Sequence, residues 1–303
     1  MSVKLPNFLI AGAAKSGTTS LYLYLNQHPE VYMSPVKEPK FITAQFIKFP
    51  LRGIGDSRTE KGIIKTFDEY KTLFSKVKDE KAIGEASIDS LYFYEGAIPV
   101  IKKYLGDIKI VIILRNPIDR AFSQYVMFTD RLRESLSFED ALKAEEERVR
   151  DNWAFGWHYT RVGFYYNQVR AYLQNFTHVK VYLYDDLRQD TAGVVKDLYE
   201  FLGVDSSFVP DTHVKYNISG VPRNKIYHNL LTRPGRLKST IKKICTFFSL
   251  QESLYKLVNN LRSGNLEKVE MKPETRNYLK DVYREDILKL QALIRRDLSH
   301  WLK

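Results

Sequence analysis

Asn7-Phe8-Leu9-Ile10-Ala11-Gly12-Ala13-Ala14-Lys15-Ser16-Gly17-Thr18-Thr19-Ser20 is the stretch on which the fold turns. The apolar run Phe8–Ala13 reads as a strand buried on both faces, and Leu21, Leu23 and Leu25 continue a helix over Ser20–Asn26. Strand, glycine turn and helix together aim backbone N–H groups and a helix N-terminus at a phosphate. An ATP-type loop requires Gly-x-x-x-x-Gly-Lys-Ser/Thr. Gly12 and Gly17 keep that spacing, but Thr18 stands where the lysine belongs, and Lys15 lies inside the loop instead.

Outward from this stretch the chain alternates strands and helices. Further short apolar runs, Ala82–Glu85, Lys109–Leu114 and Val179–Tyr184, read as buried strands. Helical patterns cover Phe67–Phe74, Ile98–Leu105, Asp119–Phe128, Ser137–Arg150, Tyr165–Asn175, Ala192–Leu202 and Glu274–Leu298. Arg295 and Arg296 fall late in the last of these, where the macrodipole favours cations. The pattern implies an α/β fold with a P-loop-like central parallel sheet flanked by helices. We read one domain over 1–303, with nucleotide-binding motifs within 6–223 and a helical C-terminal region from about 228. Gln45–Thr66, rich in glycine and charge, reads as an insertion or mobile loop. The basic amphipathic stretch 228–266 reads as an ordinary surface helix, or as a docking face for a membrane or glycan.

Composition narrows the classes. The 303 residues carry a formal net charge of +11, which attracts polyanions without choosing among nucleotides, anionic glycans and nucleic acid. No stretch approaches a membrane span, and the expected setting is cytoplasmic, without signal peptide or anchor. A lone cysteine, Cys245, excludes an internal disulfide and reads as a small buried hydrophobe. His28, His158, His178, His213, His228 and His300 have no metal-ligand spacing, and no metal is expected. His28 is expected to cap the first helix; His158 and His213 are weaker candidates for acceptor contacts. The aromatic stretch Trp153–Tyr166 reads as core, with a second reading as a wall for a sugar or adenine ring.

A second informative segment runs Ile110-Val111-Ile112-Ile113-Leu114-Arg115-Asn116-Pro117. Nucleoside triphosphatases often end this strand in an aspartate that holds Mg²⁺. Arg115 is the chemical opposite, a rigid fork of donors suited to a phosphate. Pro117 starts a helix, and Ser123 lies on it within reach of the same anion. Two anion sites with no metal carboxylate between them suit a nucleotide phosphorylated in two places and used without metal. Sulfuryl transfer is one such use.

These segments resemble PAPS-dependent sulfotransferases, where PAPS is 3′-phosphoadenylyl sulfate, and most nearly the heparan-sulfate-type and related bacterial enzymes. Lys15–Ser20 looks like their 5′-phosphosulfate loop, and Leu114–Tyr125 like their 3′-phosphate segment. Gly84–Ser87 with Tyr92, Val181–Leu187 and Phe201–Gly203 are also similar, in the family's order. The resemblance implies that Lys15 stabilises the leaving nucleotide, with Ser16, Gly17, Thr18, Thr19 and Ser20 around the 5′-phosphate. It implies that Arg115 and Ser123 hold the 3′-phosphate, and that Ser219, Gly220 and Arg223 belong to a loop closing over the nucleotide, Arg223 as a further phosphate ligand. Lys37-Glu38-Pro39-Lys40 is similar to the segment carrying the family's base. Glu38 is the expected base, and Lys37 and Lys40 would keep it ionised and attract an anionic acceptor. Glu85 competes as base or acceptor contact. Relatives often have a lysine after that glutamate, whereas here Ala86 follows.

The implied reaction moves a sulfuryl group from PAPS to an acceptor hydroxyl or amine on a glycan or related metabolite, releasing the 3′,5′-bisphosphate PAP. A P-loop kinase or NTPase and a non-enzymatic polyanion binder are the alternatives. Nucleic acid is not an expected partner, and oligomeric state is not legible.

Overall fold

The structure, a computed structural model, describes residues 4–212, 221–222, 266–267 and 269–303. Strands β1 (Phe8–Gly12), β2 (Val31–Met33), β3 (Ala82–Glu85), β4 (Lys109–Leu114) and β5 (Val179–Leu183) form one parallel sheet in the order β2-β3-β1-β4-β5. The expected α/β class is observed, and β2 is a strand that the sequence reading lacked. Val221–Pro222 and Leu266–Glu267 pair as a separate antiparallel ribbon. Expectations for Ser219, Gly220, Arg223, His213, His228, Cys245 and nearly all of 228–266 lie outside the described residues.

Alternation of side chains builds two cores from one sheet. Leu9, Ala11, Ile110, Ile112 and Leu114 face one core. It is closed by α5 (Tyr94–Leu105), α6 (Pro117–Asp130), α9 (Tyr165–Asn175) and the C-terminal helix Pro273–Ile294. Phe8, Ile10, Val111 and Ile113 face the other, under α1 (Thr18–Leu25) and α11 (Thr191–Leu202). Each fully buried Leu or Ile contributes about 1.5–3 kcal/mol by removal from water. At the β1–β3 register Phe8 stands opposite Gly84, and its ring fills the space a β-carbon there would need.

The C-terminal helix belongs to the main core. Leu279, Tyr283, Ile287 and Leu290 form its buried stripe at helical spacing. Asp286 caps α9, accepting from the amides of Tyr165 (2.8 Å) and Tyr166 (3.2 Å). The helix stops earlier than expected because Arg295 takes a left-handed conformation, φ 52°. Arg296 is therefore outside it, and makes two hydrogen bonds to Asp186, at 3.0 and 2.8 Å.

Other differences have local causes. The helix expected over Ser137–Arg150 divides into α7 (Phe138–Lys143) and α8 (Glu145–Arg150) around Ala144. His28 does not cap α1. Its Nδ1 accepts from the Glu30 amide at 3.0 Å, which leaves Nε2 to donate to the Asp205 carbonyl at 2.8 Å, and its ring packs on Tyr199 and Phe208. Among the described residues no helix is long and apolar enough to cross a membrane.

Candidate active site

The strand order reverses about β1, which places a crevice at the carboxyl ends of the strands. A cavity of about 490 Å³ opens there. The loop after β1 brings Lys15, Gly17, Thr18 and Thr19 to it; the segment after β2 brings Lys37, Glu38 and Lys40. Arg115 enters after β4 and Tyr184 after β5. Most site residues expected from sequence thus line a single cavity, Ser20 and Ser123 included.

Gly17 begins α1 with φ 95°, a left-handed conformation that glycine adopts without strain. A β-carbon there would also stand 3.0 Å from side-chain atoms of both Leu187 and Tyr184. The turn therefore fits tightly against the start of α10 (Tyr184–Gln189). Asn116 caps α6 by accepting from the Ile118 amide at 3.0 Å, with Pro117 in the first turn. Its Nδ2 donates to the Trp301 carbonyl at 3.2 Å, so the C-terminus braces the residue beside Arg115.

Arg115 Nη1 donates to the Lys15 carbonyl at 3.2 Å, and its guanidinium lies 5.0 Å from the Tyr184 ring centre. The two cationic segments are therefore joined directly. Lys15 Nζ reaches Met127 Sδ at 3.4 Å. Burial, then the charges of Arg131, Arg115 and Arg120, bring the Lys15 ammonium down to about 8. A cation held against so much like charge has an anion as its natural partner.

In the same cavity Glu38 accepts from Lys37 Nζ at 2.7 Å. Burial alone would raise its carboxyl, but Lys37 and Lys40 together outweigh that and hold it below the usual glutamate range. Glu38 and Lys40 both take positive φ, 60° and 58°, and the Glu38 amide donates to the Ala86 carbonyl at 3.0 Å. This tight bend turns the two side chains into the same cavity. Lys40 Nζ lies 5.2 Å from the Phe155 ring centre.

Two expected site residues are placed elsewhere. Glu85 is fully buried beneath the sheet, accepting from Tyr70 (2.7 Å) and Ser87 (2.8 Å), and does not line the cavity. Burial pushes its carboxyl up to about 7. It is a core carboxyl because the last position of β3 points into the layer under α4 (Phe67–Thr72), which supplies Tyr70. Ser16 also faces inward, fully buried, while its neighbours face the cavity.

Other lining residues were not singled out from sequence. Met127 and Arg131 follow the expected Ser123 at spacings of four, so one face of α6 and its C-cap lines the site, and that spacing was the available signal. Thr59, Asp56 and Arg133 come from distant segments and left no local signal. Asp56 is fully buried, accepting from the Gly53 amide (3.1 Å), the Ala154 amide (2.7 Å), Trp157 Nε1 (3.1 Å) and Arg133. These bonds fasten 53–59 against the cavity, so that part of the expected mobile loop is a fixed wall. In the aromatic stretch Trp157, Tyr159 and Tyr165 are core, Phe164 is exposed beside Tyr283, and Phe155 is the one aromatic of the stretch that lines the cavity. His158 is also buried, beside the Tyr92 hydroxyl at 3.0 Å. Among the described residues, no group of three or more His, Cys, Asp or Glu is placed to hold a metal ion.

Fold and site together define a P-loop-like α/β protein whose cavity is lined by Lys15, Arg115 and Arg131 and by a carboxylate, Glu38, between two lysines. The profile of the sulfotransferase family matches residues 6–208, and the chain belongs to that family. It superposes on the crystal structure of a sulfotransferase from Alicyclobacillus acidocaldarius with a TM-score of 0.78 and 35% identity, covering 99% of this chain and 100% of that one. It is 24% identical over 309 residues to the bifunctional heparan sulfate N-deacetylase/N-sulfotransferase 1 of Xenopus laevis, covering 99% of this chain and 31% of that protein. It is 26% identical over 170 residues to human carbohydrate sulfotransferase 15, covering 45% of this chain and 29% of that protein. The chain thus spans less than a third of either relative.

Proposed function

We propose that this protein transfers the sulfuryl group of PAPS to a hydroxyl or amine of a carbohydrate or related metabolite. The observation that carries this reading is one cavity holding Lys15, Arg115 and Ser123 together with Glu38. Family membership supports the reaction class, and the names of the heparan sulfate and carbohydrate sulfotransferases support the acceptor class.

In the proposed reaction the acceptor oxygen or nitrogen attacks sulfur as the bond from sulfur to the 5′-phosphate oxygen breaks. The acceptor's proton passes to Glu38, which its lysine neighbours keep ionised. Lys15 stabilises the charge that develops on the departing phosphate, and PAP leaves. Backbone and hydroxyl donors at Gly17, Thr18 and Thr19 receive the 5′-phosphate. Arg115 and Ser123 receive the 3′-phosphate, and Ser219, Gly220 and Arg223, which lie outside the described residues, are further candidates for nucleotide contacts. The cations of the loop take the part that Mg²⁺ plays in phosphoryl transfer, so added metal is not required. The setting we infer is cytoplasmic.

The test is transfer of label from ³⁵S-PAPS to a panel of glycans and hydroxylated metabolites by the purified protein. Acceptor-dependent labelling that persists in chelator supports the proposal. Magnesium-dependent ATP turnover with no sulfuryl transfer contradicts it.

A further inference from the structure

We propose that Arg120 is a positioning residue for the bound nucleotide, a guanidinium buried behind the phosphate loop whose counter-ion is the ligand's phosphate. The inference rests on the nucleotide reading of the cavity and goes beyond it, because Arg120 does not line that cavity.

Arg120 lies in the first turns of α6, five residues after Arg115, and is 1% exposed. One nitrogen donates to the Tyr159 carbonyl, while Nε has no partner. Among the described residues no carboxylate forms an ion pair with it. Arg148, also buried, behaves differently: it makes two hydrogen bonds to Glu134, at 2.7 and 3.1 Å. Arg120 also acts on Glu145, whose two oxygens are committed to the amides of Thr160 (2.7 Å) and Arg161 (2.8 Å).

A buried guanidinium without a paired anion is strongly unfavourable, and persists where another requirement maintains it. Its surroundings name that requirement. The Ser16 hydroxyl of the phosphate loop and the Tyr165 hydroxyl are both fully buried and face each other without closing to full hydrogen-bond distance of any partner, and Arg120 Nε is buried with none. Arg120 acts electrostatically on Tyr165, which Ser16 also touches, and on Lys15. Arg115, Arg131 and Asp130 also act on Lys15, and Arg115 and Asp286 on Tyr165. A guanidinium that meets the Tyr283 hydroxyl but no ion-paired carboxylate among the described residues, and two buried hydroxyls, thus gather beside the loop. A phosphate on its outer side supplies the missing negative charge across a water-poor interior, where charges act at longer range than in solvent.

The experiment compares Arg120→Met and Arg120→Lys with the parent, in the full chain, by melting without ligand and by calorimetry with PAP. The methionine variant is expected to melt no lower than the parent yet bind PAP about 10- to 100-fold more weakly, as for a lost charged partner. The lysine variant is expected to keep most of the affinity. A methionine variant that melts lower than the parent and binds PAP as the parent does would make Arg120 merely structural. Should that variant not fold, Arg120→Lys decides: retained affinity supports the proposal, and a loss greater than about 10-fold overturns it. If the parent binds no PAP, the nucleotide reading fails separately. Arg120 is then judged with sulfate, which must raise the parent's melting temperature more than the methionine variant's, and equal gains overturn the proposal.

Discussion

In the proposed reaction Lys15 is the residue that meets the leaving phosphate, and its charge state is poised. An ammonium brought down to about 8 is mostly protonated at neutral pH but loses its proton in mild alkali. Glu38 is displaced downward and remains ionised through the neutral range. Turnover is therefore expected to hold from weakly acid to neutral pH and to fall as pH rises through about 8. A kcat/KM profile checks this, and an alkaline limb unchanged in Lys15→Arg would contradict it. Bound PAP supplies negative charge and pulls the Lys15 proton affinity back up. Binding near pH 8 should consequently take up protons, which calorimetry in buffers of different ionisation enthalpy measures. Met127 is expected to steady the same amine. Met127→Leu should lower kcat about 2- to 10-fold, on the scale of a weak hydrogen bond, and leave PAP affinity unchanged; an equal fall in affinity would argue against that role.

At the scale of elements, the site is the set of turns that follow the strands. Gly17→Ala forces a β-carbon into a left-handed residue against Leu187 and Tyr184, and should cost about 1–3 kcal/mol of stability. Chemical denaturation measures it, and a neutral effect would mean that the turn has an alternative conformation. The parts of the fold legible in the sequence are those carried by local pattern. β1, β3, β4 and α9 are continuous apolar runs or clean helical stripes, and their reading needs no partner. β2 has three residues, Val31-Tyr32-Met33, too few to alternate visibly. α5 begins at Tyr94, before its expected start, because Gly96 and Pro99 are tolerated within it. Lys15, Arg115 and Ser123 were legible because each belongs to one short segment with a chemical reason. Asp56, Thr59 and Arg133 were not, because a bond between residues 56 and 133 has no signature in either neighbourhood. Glu85 misled because a carboxylate at a strand end usually faces the crevice, and here Tyr70 and Ser87 enclose it below.

For the whole molecule, buried titratable groups set how stability varies with pH. The Glu85 carboxyl is raised to about 7 in the folded state by burial. Its contribution is fully present below its unfolded value near 4.5 and is lost as pH rises through about 7. Asp286, raised to about 6 by burial, has the same sign. His158 has the opposite one: burial and Arg161 bring it down to about 4, so its contribution is lost as pH falls from 6.5 toward 4. Glu85→Gln should therefore flatten the decline in melting temperature between about pH 5 and 8. A variant whose pH dependence matches the parent's would show that this carboxyl does not titrate as described. The C-terminal helix and Trp301 close the main core, and the Trp301 carbonyl braces Asn116 next to Arg115.

The central claim is that one cavity receives a nucleotide phosphorylated at both ends, gripped at one end beside Lys15 and at the other by Arg115. Calorimetric titration of PAP and of adenosine 5′-phosphate into the parent and Arg115→Ala tests it most directly. The account predicts that the parent prefers PAP and that Arg115→Ala weakens PAP far more than adenosine 5′-phosphate. Equal weakening of both nucleotides, or a parent indifferent to the 3′-phosphate, would contradict it.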